Sequence, residues 1–449
     1  MMQKTTAMTE GNIWKQLFLF SVPLILGNLF QQLYNTVDSI IVGNYIGSEA
    51  LAAVGSSGSL LNLLIGFCVG ASAGAGVVIS QYYGAKDEKG LHKAVHTTIA
   101  IAIAAGIILT VVGILLSPLL LRAMGTPSEV FDQAVIYLQV YWGGILFNVI
   151  YNMAAGILNA VGNSRRSLVY LMIAAISNIF LDLLFVVVFK MGIVGAALAT
   201  DVSQLLSSIF IILFLVRSKE MYRLKLKDIR FYDKMLGKIL RIGLPTGIQN
   251  IVISFSNVIV QSSVNSFGSA VMAGFAAYVK IDGFNIMPVM SFSMAATTFT
   301  GQNIGAGRYD RVRKGMWVSL SMGVIYTIAT GALLLLFAPQ IIGVFTNNKE
   351  VVQHGVYVLK YFCPFYFLLA VMHELSGTIR GTGKTVEPML IALTSLCVFR
   401  VVWIMVVLSI EHRMDWLFVV YPISWLIGAV LTVLYAWKGK WMPDEMRNK

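Results

Sequence analysis

The chain has 449 residues, 57% of them hydrophobic and only 12% charged, with a mean hydropathy of +0.77 and a formal net charge of +12. That balance excludes an ordinary soluble globular domain and predicts an integral membrane protein. The apolar segments are continuous rather than alternating, which favours helices over barrel strands and gives an all-α fold class.

In chain order, apolar segments long enough to cross about 30 Å of hydrocarbon fall near residues 14–42, 50–81, 94–117, 129–155, 167–189 and 193–216. A second set lies near 236–265, 270–303, 315–338, 350–378, 388–409 and 415–437, so twelve transmembrane helices are expected. The polar opening MMQKTTAMTEGN lacks the pattern of a cleaved signal peptide. Cys68, Cys363 and Cys397 all sit in apolar stretches, where cysteine packs as a small hydrophobe, and no metal site is expected.

Orientation follows from the basic residues. With both termini cytoplasmic, 26 of the 33 Lys and Arg residues fall in cytoplasmic tails and loops, as the positive-inside rule requires. The stretch RSKEMYRLKLKDIRFYDKMLGKILR, residues 217–241, holds nine of them against three acids. Its place between two sets of six helices suits a connector lying on anionic lipid better than a nucleic-acid site. The expected organisation is thus an N-terminal lobe (1–216), a basic linker (217–241) and a C-terminal lobe with a short tail (242–449), in a monomer whose partners are small molecules and membrane lipid, with no nucleic acid.

Sliding the chain against itself by 221 residues brings SQYYGAKDEKGLHKAV (80–95) over TGQNIGAGRYDRVRKGM (300–316). Gln81, Gly84, Ala85 and Lys93 meet Gln302, Gly305, Ala306 and Lys314, and Gly47, Pro118, Gly156, Gly162 and Ser203 meet Gly268, Pro339, Gly377, Gly383 and Ser424. Pro23 and Asn28 meet Pro245 and Asn250 after a one-residue slip. Two six-helix bundles of like orientation, related by a pseudo-two-fold axis along the membrane normal, are predicted, with alternating access acting between them.

The polar residues inside the spans are unevenly divided. Asp38, Asn178, Asp182 and Thr200 fall opposite Ile259 or Val260, Phe399, Trp403 and Tyr421 of the second copy. Gln31, Tyr34 and Asp38 share one helix face, as do Asn178 and Asp182, and Asn148 and Asn152, and the sixth span adds Thr200 and Asp201. A carboxylate near the bilayer centre costs about 2.5–3.5 kcal/mol on insertion scales, and the N-terminal spans hold no base to neutralise one. Paired acids with amide and hydroxyl oxygens make either a proton or cation coupling site or a set of satisfied structural groups. In the second half Lys280, Asp282, Glu374 and Arg400 form either an ion-pair network or a substrate site.

The stretch GASAGAG (70–76) lies mid-span with no strand before it, so it reads as close helix packing rather than a phosphate loop. His373-Glu374 opens MHELSG without the second His of a zinc protease, and no nucleophile motif has usable partners. An intramembrane enzyme is therefore not expected, and a carrier fits two repeats around buried acids better than a passive channel.

The sequence resembles the multidrug and toxic compound extrusion (MATE) family over about residues 10–440, through FSVPLILGNLFQQLYNTVDSIIVGNYIG, GQNIGAG (301–307), LNAVGN (158–163) and the duplicated halves. The resemblance implies export of cationic or amphipathic compounds in exchange for H⁺ or Na⁺ across the cytoplasmic membrane, without a cofactor. Within that family the pattern is similar to the DinF-like branch. This implies a coupling site at Asp38, Asn178, Asp182 and Thr200, with Tyr137 and Asn152 as further matches. Gln31 and Tyr34 match cavity-lining positions, and Pro23 matches the proline at which the first helix bends. The NorM-like branch uses an acid in the seventh helix, where GLPTGIQNIVISF offers Gln249 and Asn250 but no carboxylate. A lipid-linked precursor flippase of related architecture is the alternative, and would need a more cationic interior.

Overall fold

The computed structural model describes residues 7–442, apart from the side chains of residues 59 and 62–64, and among the described residues it is helical with no strand. The terminal charges Lys4, Arg447 and Lys449, counted above for orientation, lie outside the described residues. The helices are α1 (Ile13–Tyr45), α2 (Ser48–Gly84), α3 (Glu88–Ala123), α4 (Ser128–Ala160), α5 (Ser164–Asp182) and α6 (Gly192–Arg217). There follow α7 (Asp233–Asn265), α8 (Ser269–Gly305), α9 (Tyr309–Leu336), the short α10 (Ala338–Gly343), α11 (Lys349–Phe362), α12 (Tyr366–Gly381), α13 (Val386–Ala392), α14 (Phe399–Ile410) and α15 (Met414–Lys438). Two π-helical turns, Leu183–Val188 after α5 and Leu393–Val398 between α13 and α14, widen the helix without ending it.

Eleven spans among the described residues are long and apolar enough to cross a membrane, and the chain is a multi-pass membrane protein. The twelfth expected position is α8, a single helix of 37 residues that is not among those eleven. Lys280, Asp282 and a polar second half rich in Ser and Thr interrupt its apolar run. Large apolar side chains such as Leu115, Val188, Leu336, Met405 and Ile410 stay exposed on the outside of the helices, as lipid-facing residues do.

The contacts divide the chain into two compact units, and the division does not follow chain order. Unit 1 gathers Val22–Gly247, while unit 2 gathers Met8–Ser21 with the described residues from Ile248 onward. The first turns of α1 therefore belong to unit 2 and the first half of α7 to unit 1. Each of these helices changes unit within a few residues of its proline, Pro23 or Pro245. A proline removes the N–H that would bond four residues back, so the backbone is softest there.

Side chains hold the exchanged pieces in place. In unit 2, Gln302 accepts the Met8 backbone N–H at 2.7 Å, and buried Arg311 donates to Gly11 O at 2.8 Å and Gln16 Oε1 at 2.9 Å. In unit 1, the start of α7 lies against α2 through two facing pairs of glycines four residues apart. A Cβ on Gly70 would come within 2.5 Å of Gly247 Cα, and one on Gly74 within 2.3 Å of Gly243 Cα. The small residues of GASAGAG thus allow backbone contact, as expected from the sequence.

Within each unit the repeat extends to single hydrogen bonds. Ser72 Oγ donates to Asn152 O at 2.9 Å in unit 1, and Ser293 Oγ, 221 residues on, donates to His373 O at 2.7 Å in unit 2. Gly47 and Gly268 both take positive φ before a helix of 37 residues, and Gly162 and Gly383 do so in matching turns. In unit 1, α4 packs against α2, α3 and α6; in unit 2, α12 packs against α8, α9 and α15.

Candidate functional site

The acids of unit 1 converge. Asp38 lies on α1 beyond Gln31 and Tyr34, whose side chains are neighbours. Asp182 is the last residue of α5 before the π-helical turn and is fully buried. The wider turn shifts the following side chains relative to a regular helix, and of LLFVVV Val186 is buried while Leu183 and Val188 are exposed. The Asp38 and Asp182 carboxyls are direct neighbours.

What they lack is a donor. Neither oxygen of Asp182, nor Asp38 Oδ1, nor Asn178 Oδ1, receives a hydrogen bond from a described residue. An ionised carboxylate can only accept, so the two neighbouring acids cannot satisfy each other while both are charged. No ion pair to Asp38 or Asp182 occurs among the described residues. Buried polar atoms in native proteins are nearly always satisfied, and orphaned ones point to a missing proton, ion or water. Asn178 Nδ2 donates to Thr200 Oγ1 at 3.4 Å, and that hydroxyl donates in turn to Ala196 O at 3.3 Å.

Tyr137 and Tyr141, one turn apart on α4, are buried within electrostatic range of Asp38 and Asp201, Tyr137 also of Asp182 and Tyr141 of Tyr34. The two rings are 6.4 Å apart. Asp201 packs directly on Gly144 of α4: an added Cβ there would sit 2.1 Å from Asp201 Cγ. Asn152 is on α4 but its amide donates to Asn148 Oδ1 at 2.8 Å and Asn148 O at 2.9 Å, so its donors are engaged along its own helix.

Of this cluster, Tyr141 is the member least visible in the sequence. Asp201 follows Thr200 directly, and consecutive helix residues do not share a face; Thr200 turns to α5 while Asp201 turns to α4. Tyr141 carried one signal, its spacing of four from Tyr137, which is equally the spacing of a core stripe.

The polar residues of unit 2 separate into distinct places. Asp282 lies beside Tyr278, Tyr366 and Arg400, with Oδ1 unpartnered among the described residues. Arg400 donates from Nε to Ser424 Oγ at 2.9 Å and stands over the Tyr421 ring at 4.3 Å. Glu374 is fully buried elsewhere, accepting from Ser319 Oγ and facing Gly323. Lys280 is exposed, 6.0 Å from the Phe345 ring. No salt bridge links these four among the described residues, so the ion-pair network considered from the sequence is not what joins them.

Comparison with known proteins identifies the family. The MatE family model matches twice, at residues 23–184 and 245–406, one match for each half of the repeat. The chain is 31% identical over 392 residues to probable multidrug resistance protein YpnP of Bacillus subtilis (strain 168), covering 87% of this chain and 88% of that protein. It is 30% identical over 453 residues to probable multidrug resistance protein YoeA of the same strain, covering 97% and 96%. A solved structure described as the outward-facing conformation of a multidrug resistance MATE family transporter of the MOP superfamily superposes with a TM-score of 0.90 at 24% identity, covering 97% of each chain. With the doubled match, the all-helical fold and the repeated contacts in agreement, the chain belongs to the MatE family and is a membrane transporter rather than an enzyme.

Proposed function

We propose that this transporter is a secondary antiporter of the DinF-like branch, exporting cationic or amphipathic small molecules across the cytoplasmic membrane in exchange for H⁺ or Na⁺, with both termini cytoplasmic. The observation that carries the reading is the neighbouring pair Asp38 and Asp182, of which both Asp182 oxygens and Asp38 Oδ1 meet no protein donor. Either a proton shared between them or a bound Na⁺ removes the repulsion of two close carboxylates. Asn178 and Thr200 supply further hard oxygens, the ligand type that suits Na⁺. The relatives named as multidrug resistance proteins support the export of drugs.

Coupling then works through unequal affinity. A cation that binds the pair more tightly in one conformation shifts the balance by that difference and by no more. Tyr34 and Gln31, on the same face of α1 as Asp38, are the side chains through which ion occupancy is felt by a substrate. Pro23 is where α1 changes unit, and bending there is the motion proposed to follow.

The test is efflux of a fluorescent organic cation from proteoliposomes under an imposed Na⁺ gradient and, separately, a proton gradient. Transport is expected to follow one gradient and to fall by about tenfold or more in Asp38→Asn and Asp182→Asn, consistent with loss of a coupling of 1–3 kcal/mol. Undiminished driven transport in both variants would overturn the assignment. Absence of any driven transport in the unchanged protein would move the choice to the lipid-linked substrate.

A further inference from the structure

Far along the chain from the paired acids, the connector between α6 and α7 meets α3 at a second cluster that the transport reading does not use. His92 and His96 lie one turn apart on α3, and Asp228 reaches them from the short 3₁₀ turn Leu226–Asp228. His92 Nε2 is 3.2 Å from Asp228 Oδ2, and one ligand atom from each of the three residues lies within 4.8 Å of the others. Ligands around a tetrahedral Zn²⁺ at about 2.0–2.1 Å stand roughly 3.3 Å apart, so the His92 and Asp228 atoms already have that spacing. Two His residues at i and i+4 share a helix face and present their rings together; here the ring centroids are 3.9 Å apart.

The buried member has its proton in the place a ligand needs. His96 Nδ1 is 2.6 Å from the His92 carbonyl oxygen, to which it donates, so the lone pair is on Nε2. That arrangement, a backbone carbonyl holding one ring nitrogen and leaving the other as acceptor, is the usual support of a metal-bound imidazole. In this structure Nε2 accepts the Lys225 backbone N–H at 2.9 Å, so a metal competes with one donor on the connector itself.

We infer that His92, His96 and Asp228 form a three-ligand site for a borderline-soft divalent cation, Zn²⁺ or its analogue Co²⁺, which clips the connector to α3 within unit 1. The donor set argues for the metal class. Two imidazoles and one carboxylate suit Zn²⁺, whereas Mg²⁺ and Ca²⁺ require more oxygen ligands. Lys89, Lys93, Lys225 and Lys227 belong to the same two segments, and their charge opposes any cation, so coordination rather than electrostatic attraction must supply the affinity. The corresponding positions of the second copy, Arg313 and Trp317, carry no such ligands, so the site belongs to one half alone.

The experiment uses the full-length protein, purified in detergent without a polyhistidine tag, titrated with Co²⁺ and followed by its visible absorption, then with Zn²⁺ in competition. Expected are one Co²⁺ per chain, a d–d spectrum typical of nitrogen and oxygen ligands in four- or five-coordination, and displacement by Zn²⁺. His92→Ala and Asp228→Asn, both at half-exposed side chains, are each expected to weaken binding by about tenfold or more while leaving the gel-filtration profile unchanged. No saturable binding, or equal affinity in both variants, would overturn the site. A spectrum characteristic of octahedral Co²⁺ held only by water and carboxylate would do the same.

Discussion

At the scale of single residues, Thr200 separates the coupling role from a structural one. Its hydroxyl accepts from Asn178 and contributes no charge. Thr200→Val is expected to strand the Asn178 amide, costing roughly 1–3 kcal/mol, and to raise the ion concentration needed for half-maximal transport while drug binding without a gradient is retained. Ion-dependence curves in proteoliposomes check this. Glu411, in the loop between α14 and α15, supplies a pH prediction. The Trp416 indole N–H and then the Arg413 guanidinium hold its carboxyl below the ordinary value. A depressed carboxyl contributes stability above its unfolded value and loses it as pH falls through the folded one. Acidification below the ordinary carboxylate range should therefore release the Trp416 contact, seen as a fluorescence change absent from Glu411→Gln. The paired acids and Asp201 were legible because a charge in an apolar run is conspicuous; the seat of Asp201 on Gly144 was not, because that partner is 57 positions away and has no side chain to signal it.

Among the helical elements, glycines decide how closely backbones approach. Gly74→Val places a side chain where Gly243 already lies. Such overpacking typically costs about 1–3 kcal/mol, and the backbone contact here puts the expectation at the upper end. Gly237, also helical, has nothing within 4 Å of its missing Cβ, so Gly237→Ala is expected to be neutral or to add up to about 1 kcal/mol. Thermal unfolding in one detergent compares them, and equal losses would refute the seam. A matched pair probes the repeat. Ser72→Ala removes one bond to Asn152 O, whereas Ser293→Ala also strands the Arg380 Nη2 that donates to Ser293 Oγ at 3.0 Å. The second should be the more costly, by about 1 kcal/mol or more, since an unpartnered buried donor is penalised. Helix positions and the small-residue seam were readable from hydropathy and composition, while the π-helical turns were not, since LLFVVV and LTSLCV carry no local mark that distinguishes them from regular helix.

For the whole molecule, duplication was visible in the chain because glycines and prolines at turns recur at one offset, and the same offset reappears in the hydrogen bonds. The exchange of helix ends was not visible. It depends on Arg311 finding carbonyls some 300 positions earlier, and nothing in either segment names the other. That exchange has a bearing on biogenesis. Met8 and the opening turn of α1 at Gln16 are among the first residues made, yet their partners Gln302, Asn303 and Arg311 are synthesised when about two thirds of the chain is complete. Through most of translation the leading end must wait without its seat. Each half, made by itself, is missing a piece that the other supplies. A chain cut between Arg217 and Asp233 would leave that debt in both fragments, and neither should reach a compact state until they are produced together in one membrane.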